Sequence, residues 1–281
     1  MKITGETKTL GIFGHPVKHT LSPLMQNAAI EALGLNYIYI PFGVRPEELG
    51  AAVNGIRALG LCGVNVTIPH KEKVIPFLDE VTAEVSLIGS VNTIENKDGM
   101  LIGHNTDSRG YIRSLREDAG FDPKGKKVLI IGAGGAARGI IAGLSASEVG
   151  EVSIANRTFE KGENLAIEFR EKFTTINFAA LPLSAIKDPD ILSSIDLIVN
   201  TTSMGLEGGA PDVEFRLTPS HALISDIAYE PPLTSFLEKA QKSGRKTIGG
   251  LGMLAYQGAI SFEIWTSKRA PVDVMKRVLG L

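Results

Sequence analysis

The stretch "KVLIIGAGGAARGIIAGLSA" constrains this chain most. An apolar run rich in Ile and Val ends in glycines, and an apolar helix-period segment follows. Gly132, Gly134 and Ala137 keep the G-x-G-x-x-G/A spacing in the strand–turn–helix setting that the motif requires. Gly132 permits a tight turn, Gly134 lets a backbone approach a pyrophosphate, and Ala137 keeps helix and strand close. A phosphate then faces free N–H groups at the helix start. Such a unit belongs to an α/β fold with a parallel sheet, and it predicts dinucleotide binding. A glycine turn kept only for packing is the plainer reading.

The next strand, "EVSIA", bears on the cofactor. NAD binders usually carry an acid about 20 residues past the glycines, bonded to the ribose 2′-hydroxyl. Here Asn156, Arg157 and Thr158 end the strand, and Lys161 follows one turn later. A guanidinium suits a 2′-phosphate, so the pattern favours NADP over NAD. Thr158 also suits a helix cap, which leaves Arg157 free.

Upstream, the periodicity predicts a β-α-β-α-β beginning. "TLGIFG", "NYIYIPF" and "LCGVNVTI" read as strands. "SPLMQNAAIEALG" reads as a helix with Ser22 as N-cap, Pro23 first and Gly34 as stop. "RPEELGAAVNGIRALG" reads as a second helix, and "PHKEKVIPFL" as the opening of a short third. A hairpin is expected around Lys97-Asp98-Gly99. The pattern restarts near Arg109, with strands in "DLIVNTTSMG", "ALISDIAY" and "KTIGG". The last segment predicts two helices split by Pro271, packing back on the first domain. The expected organisation is a substrate domain over 1–108 plus 247–281, mostly parallel α/β, and a Rossmann-type NADP-binding domain over 109–246. The turn-rich segment Met204–Phe215 is the longest loop.

Composition excludes several classes. A formal net charge of −2 and 6% aromatics argue against a nucleic-acid or anionic-membrane partner. The apolar runs are too short for a membrane helix, and the N-terminus does not read as a signal peptide. Cys62 is the only cysteine, as in a reducing compartment. A cytoplasmic protein is expected, monomeric or homodimeric. Among the five histidines no H-E-x-x-H pattern occurs, and Pro16 breaks any regular helix through His15 and His19, so no metal site is expected. His70 reads as a residue of the first turn of the third helix.

Polar clusters stand where strands end: Thr20 and Ser22 in "GHPVKHTLSP", Thr67 and Lys71 in "NVTIPHK", Asn92 in "SVNT" and Asp107 in "HNTD". Strand ends of a parallel sheet share an edge, where ligands bind. Each residue has a plain alternative as a cap or turn. Together, small neutral polar groups around one lysine and one aspartate describe a polyol site.

These motifs resemble those of the shikimate dehydrogenase family. G-x-P-x-x-H-S-x-S-P, N-V-T-x-P-x-K, V-N-T, N-T-D, G-A-G-G-A, N-R-T and N-[AT]-T-[SP]-x-G recur in order, followed by "DIAYEPPLTSFL" and "GGLGMLAYQGAISFEIW". The resemblance implies NADP-dependent reduction of 3-dehydroshikimate, with Lys71 and Asp107 as the catalytic pair. It implies that Thr20 and Ser22 bind the substrate carboxylate. It places Thr67, Asn92 and Gln257 on hydroxyls and Tyr229 against the substrate. It assigns the cofactor to Gly132, Ala133, Gly134, Gly135, Ala136, Asn156, Arg157, Thr158, Lys161, Thr201, Gly250 and Met253, the last beside the nicotinamide. Two departures stand out. Thr20 replaces a family serine, which keeps a quinate or dual quinate/shikimate dehydrogenase as the alternative. Gln26 replaces a usual histidine. Reducing a ketone by hydride leaves an alkoxide that needs a proton, and Lys71 is the expected donor. Two features are expected to lower its pKa, the positive end of a helix opened by Pro69 and a partly dry cleft. Asp107 acts in the opposite direction.

Overall fold

The computed structural model describes residues 2–202, 204 and 209–281. Ser203 and Gly205 of the "NTTSMG" motif, and 205–208 of the long loop, lie outside them. The chain divides into two compact units, Met1–Gly110 with Leu254–Leu281, and Tyr111–Met253.

In the first unit, β1 (Lys8–Gly14), α1 (Ser22–Ala32), β2 (Tyr37–Gly43), α2 (Leu49–Ala58) and β3 (Gly63–Val66) form the expected alternation. They are followed by β4 (Glu80–Val81), α3 (Ala83–Ile88), β5 (Thr93–Lys97), β6 (Met100–His104) and α4 (Asp107–Glu117). The strand order is β2-β1-β3-β5-β6-β4. Only β5 runs against its neighbours. The hairpin β5–β6 turns at Asp98 and Gly99, both at positive φ, as an Asp-Gly turn demands. Because β5 is reversed, its start lies at the same edge as the ends of β1, β3 and β6. Asn92 therefore reaches that edge by preceding a strand, not by ending one.

Three local expectations change. No α-helix follows Pro69; Lys71 stands in a turn before a short 3₁₀ helix at Ile75–Phe77. Pro76 has no N–H to give an α-helix, which accounts for the failure. Lys71 therefore has no helix N-terminus beneath it, and the expected helix dipole is absent. Helix α1 has Leu21 at its N-cap position, not Ser22. The Thr20 hydroxyl accepts from the Ser22 N–H at 3.3 Å instead. α2 begins at Leu49, after a 3₁₀ turn at Pro46–Glu48. α3 was not anticipated; its signal is Thr82, whose hydroxyl caps the Val85 N–H.

The second unit holds β7 (Lys127–Ile131), α5 (Gly135–Ala146), β8 (Glu151–Asn156), α6 (Phe159–Lys172), β9 (Asn177–Pro182) and α7 (Pro189–Leu192). Then come β10 (Leu197–Asn200), β11 (Leu223–Asp226), α8 (Ser235–Lys242) and β12 (Lys246–Ile248). All its strands are parallel, in the order β9-β8-β7-β10-β11-β12. This is the doubly wound order of a Rossmann sheet, reversing direction between β7 and β10. The edge strand β9 was not anticipated, since "NFAALP" lacks a β-branched run. α9 (Gly250–Thr266) and α10 (Val272–Val278) close the chain. Ala255, Ala259, Phe262, Trp265 and Met275 from these helices share a core with Leu10, Ile12, Met25 and Ile30. No helix among the described residues is long and apolar enough to cross a membrane.

Candidate active site

The polar clusters of the first unit converge on one edge of its sheet. Lys71 Nζ donates to Asp107 Oδ2 at 2.6 Å. The Lys71 backbone is pinned as well, its carbonyl accepting from the Val91 N–H at 2.8 Å. Next to it, His70 is fully buried and its Nε2 lies 2.7 Å from the Val44 carbonyl. A carbonyl only accepts, so Nε2 carries the proton. His70 thus ties this turn to the loop after β2.

Asp107 opens α4, where a carboxylate is favoured. Its N–H is capped by Asn105 Oδ1 at 3.1 Å. Its Oδ1 accepts from Asn92 Nδ2 at 2.9 Å. The Asn92 amide has one possible orientation, because Oδ1 accepts the Thr106 N–H at 2.8 Å. Gln257 is oriented in the same way. Its Nε2 donates to the Leu254 carbonyl at 2.9 Å, which turns Oε1 towards Asn92 Nδ2 at 3.3 Å.

A buried hydrogen-bond network continues from Asn92 to Ser22. Asn65 Nδ2 donates to the Asn92 carbonyl at 3.0 Å, so Asn65 Oδ1 must accept, and Tyr39 Oη donates to it at 2.7 Å. Burial raises the Tyr39 pKa well above its ordinary value, against a smaller opposing effect of the Ser22 hydroxyl beside it. Tyr39 is therefore a donor at any working pH, and Ser22 is itself buried. Sequence reading missed Tyr39, Asn65, Thr93 and Ser261. The available signal was a polar residue inside an apolar run, as in "YIYI" and "GVNV". Thr67 is half-buried after β3, its methyl against Gly14. Among the described residues, no group of three or more His, Cys, Asp or Glu is placed to hold a metal.

In the second unit the glycine turn follows β7. Gly132 has φ +113°, and a Cβ there would stand 2.6 Å from Thr201 Oγ1. Thr201 follows β10 and donates its hydroxyl to the Ile131 carbonyl at 2.8 Å, so it braces the turn. Gly134 is the N-cap of α5, with no side-chain cap and open space where a Cβ would point. Gly135 and Ala136 are exposed in its first turn, and Ala133 is half-buried.

After β8, Asn156 Nδ2 donates to the Thr158 carbonyl at 2.7 Å. Thr158 takes the N-cap position of α6 without spending its hydroxyl there. Arg157 and Lys161 are exposed, and neither has an acidic partner among the described residues. An uncapped helix start, two cations and a spare hydroxyl at the ends of β7 and β8 fit a phosphorylated dinucleotide. Tyr229 is half-buried in the loop after β11, which Asp226 closes by accepting from the Ala228 N–H at 3.1 Å and the Thr234 hydroxyl at 2.7 Å. Burial, and then Glu230, push the Tyr229 pKa up. Gly250 begins α9 with its N–H on the Ala228 carbonyl at 3.2 Å, and Met253 is half-buried on the same helix.

A Rossmann sheet with a phosphate-ready turn, and a lysine–carboxylate pair ringed by oriented amides, define a nicotinamide-dinucleotide oxidoreductase acting on a CH–OH group. Family models agree in detail: "Shikimate dehydrogenase substrate binding domain" matches residues 12–94, "Shikimate / quinate 5-dehydrogenase" 115–208, and "Shikimate 5'-dehydrogenase C-terminal domain" 250–279. Shikimate dehydrogenase (NADP(+)) of Geobacter metallireducens is 48% identical, over 99% of this chain and 97% of its own. A crystal structure of a shikimate dehydrogenase in complex with NADP+ aligns with TM-score 0.89 and 41% identity, covering 99% of this chain and 96% of that one. Shikimate 5-dehydrogenase from Listeria monocytogenes, in complex with shikimate and NAD, aligns with TM-score 0.92 and 37% identity, covering 99% and 98%. This chain belongs to the shikimate dehydrogenase family.

Proposed function

We propose that this chain is an NADP-dependent shikimate dehydrogenase, reversibly reducing 3-dehydroshikimate to shikimate in the chorismate route to aromatic amino acids. The observation that carries the reading is the 2.6 Å contact between Lys71 Nζ and Asp107 Oδ2 at the strand-end edge. When bound, NADPH supplies the hydride. Lys71 gives a proton to the substrate oxygen as its carbonyl becomes an alkoxide, and takes it back from the hydroxyl in the oxidative direction. Asp107 holds the Lys71 ammonium in place, and Asn92 holds Asp107. Thr67, Asn92 and Gln257 bind substrate hydroxyls. Gln257 offers the Nε2 hydrogen that Leu254 leaves free. The hydroxyls of Thr20 and Ser22 bind the carboxylate, and Tyr229 contacts the substrate.

Gly132, Ala133, Gly134, Gly135 and Ala136 carry the cofactor's pyrophosphate. Asn156, Arg157, Thr158 and Lys161 carry its 2′-phosphate end. Gly250 and Met253 lie along the nicotinamide. Thr201 serves the same site by bracing Gly132. The relatives above are named for shikimate, which favours it over quinate. We place the enzyme in the cytoplasm, as a monomer or homodimer that binds no nucleic acid.

The test is reduction of NADP+ or NAD+ by the purified chain with shikimate or quinate. Shikimate with NADP+ is the expected active pair, and activity with quinate alone overturns the reading. Lys71→Ala is expected to lower kcat by roughly 10²–10⁴-fold with shikimate binding retained. Turnover like that of the unaltered enzyme removes Lys71 from proton transfer.

A further inference from the structure

Helix α9 carries Gln257, Ser261 and Trp265 at i, i+4 and i+8, on one face. Three consecutive residues, Asn92 just before β5 and Thr93 and Ile94 at its start, meet them in order. Trp265 Nε1 donates to the Ile94 carbonyl at 2.9 Å. Ser261 Oγ and Thr93 Oγ1 are hydrogen-bonded at 2.8 Å. Gln257 Oε1 accepts from Asn92 Nδ2 at 3.3 Å.

The indole can seat there because residue 63 on β3 is glycine: a Cβ would stand 2.2 Å from Trp265 Nε1. Ser261 makes three further contacts, one of them with Thr106 Oγ1 at 3.2 Å. It donates to the Gln257 carbonyl at 3.0 Å and lies 3.1 Å from Asn65 Nδ2. Asn65 itself is oriented by the Asn92 carbonyl, and the Ser261 proton has a carbonyl to go to. The hydrogens can therefore run one way, Tyr39 to Asn65, then Thr93, Ser261 and the Gln257 backbone. A helix held by hydrophobic contact alone can slide or rotate slightly at little cost. These polar contacts set its position along β5.

We propose that Ser261 and Trp265 are positioning residues for the reaction, fixing α9 against β5 so that the Gln257 amide meets the substrate in one orientation. Both are buried and sit one and two turns beyond Gln257. The proposal rests on the reading of Gln257 as a substrate ligand given above.

The test is steady-state kinetics of the full chain carrying Ser261→Ala or Trp265→Phe, each alone and combined with Gln257→Ala. Losing the single Trp265 bond to Ile94, or the several bonds of the Ser261 hydroxyl, is expected to raise KM for shikimate roughly fivefold to tenfold, with KM for NADP+ unchanged. On the Gln257→Ala background the same substitutions are expected to change KM no further, because their effect passes through that amide. Two results overturn the proposal: a lowered melting temperature with KM unaltered, or a KM effect that multiplies undiminished with that of Gln257→Ala. Trp265→Phe keeps the ring in place and decides the matter should Ser261→Ala fail to fold. Failure of the functional reading is separate, since it shows in the unaltered enzyme as absence of shikimate oxidation.

Discussion

Asp107→Asn is the sharpest perturbation of the site, because it changes one oxygen to an NH₂ group and removes the negative charge while keeping the side chain's shape. The carboxylate receives two donors, Lys71 Nζ on Oδ2 at 2.6 Å and Asn92 Nδ2 on Oδ1 at 2.9 Å. Neither can be reversed. An ammonium has only donors, and Asn92 Oδ1 is held by the Thr106 N–H. The new amide must turn its NH₂ towards one of them. One charge-assisted bond, about 1.5–3 kcal/mol, is lost, and one donor is left facing a donor, about 1–3 kcal/mol more. The side chains are 31% and 19% exposed, so water recovers part of this. A net loss of about 2–4 kcal/mol remains, which corresponds to roughly 30- to 1,000-fold in kcat/KM if it is felt in the transition state. Initial rates of NADP+ reduction with shikimate measure it, and a thermal melt reports the fold. A variant within about threefold of the unaltered enzyme would refute the claim that Asp107 must accept from both neighbours.

Arg157→Ala is expected to raise KM for NADPH about tenfold or more while barely moving that for NADH; equal effects on both would show that Arg157 does not read the 2′-phosphate. Gly132→Ala forces a side chain into φ +113° and against Thr201 Oγ1. It should cost about 2–4 kcal/mol in chemical denaturation and raise KM for NADP+; unaltered stability would contradict the close approach. Glu168 is held below its ordinary pKa of 4.5, chiefly by its hydrogen bond from Arg138; burial opposes this, and Lys172 adds a smaller lowering. A lowered folded pKa contributes stability that is complete above about pH 4.5 and disappears as pH falls through the folded value. Glu168→Gln should therefore destabilise the protein at neutral pH and progressively less below pH 4.5, and a constant difference at all pH values would count against this pairing.

Much of the fold was legible because its signals are local. The glycine turn after β7, the strands "VLII" and "VSIA", the Asp-Gly hairpin and the break at Pro271 each depend on a few adjacent residues. The short segment after Pro69 was misread because its apolar content suited a helix while Pro76, seven residues on, removed the N–H a helix needed. β9 escaped notice because an edge strand can be built from "NFAALP", where pairing with β8 supplies what propensity does not.

The site divides along the same line. Lys71, Asn92, Asp107 and Gln257 could be singled out from sequence as chemistry-bearing residues in motifs, and the glycine turn after β7 could be placed to the residue. That Lys71, Asn92 and Asp107 share one edge was expected from sequence; how Asn92 gets there was not, because it depends on β5 running backwards and bringing the start of a strand to the edge where others end. Nor could Tyr39, Asn65 and Ser261 be told from ordinary polar residues. A hydrogen bond's direction is set by which partner can only donate or only accept, and those partners come from β2, β3, β5 and α9. Sequence alone thus determined the chemical groups available and the local turns that present them. Tertiary structure decided which groups face each other and which way each proton points, because those relations hold between residues far apart in the chain.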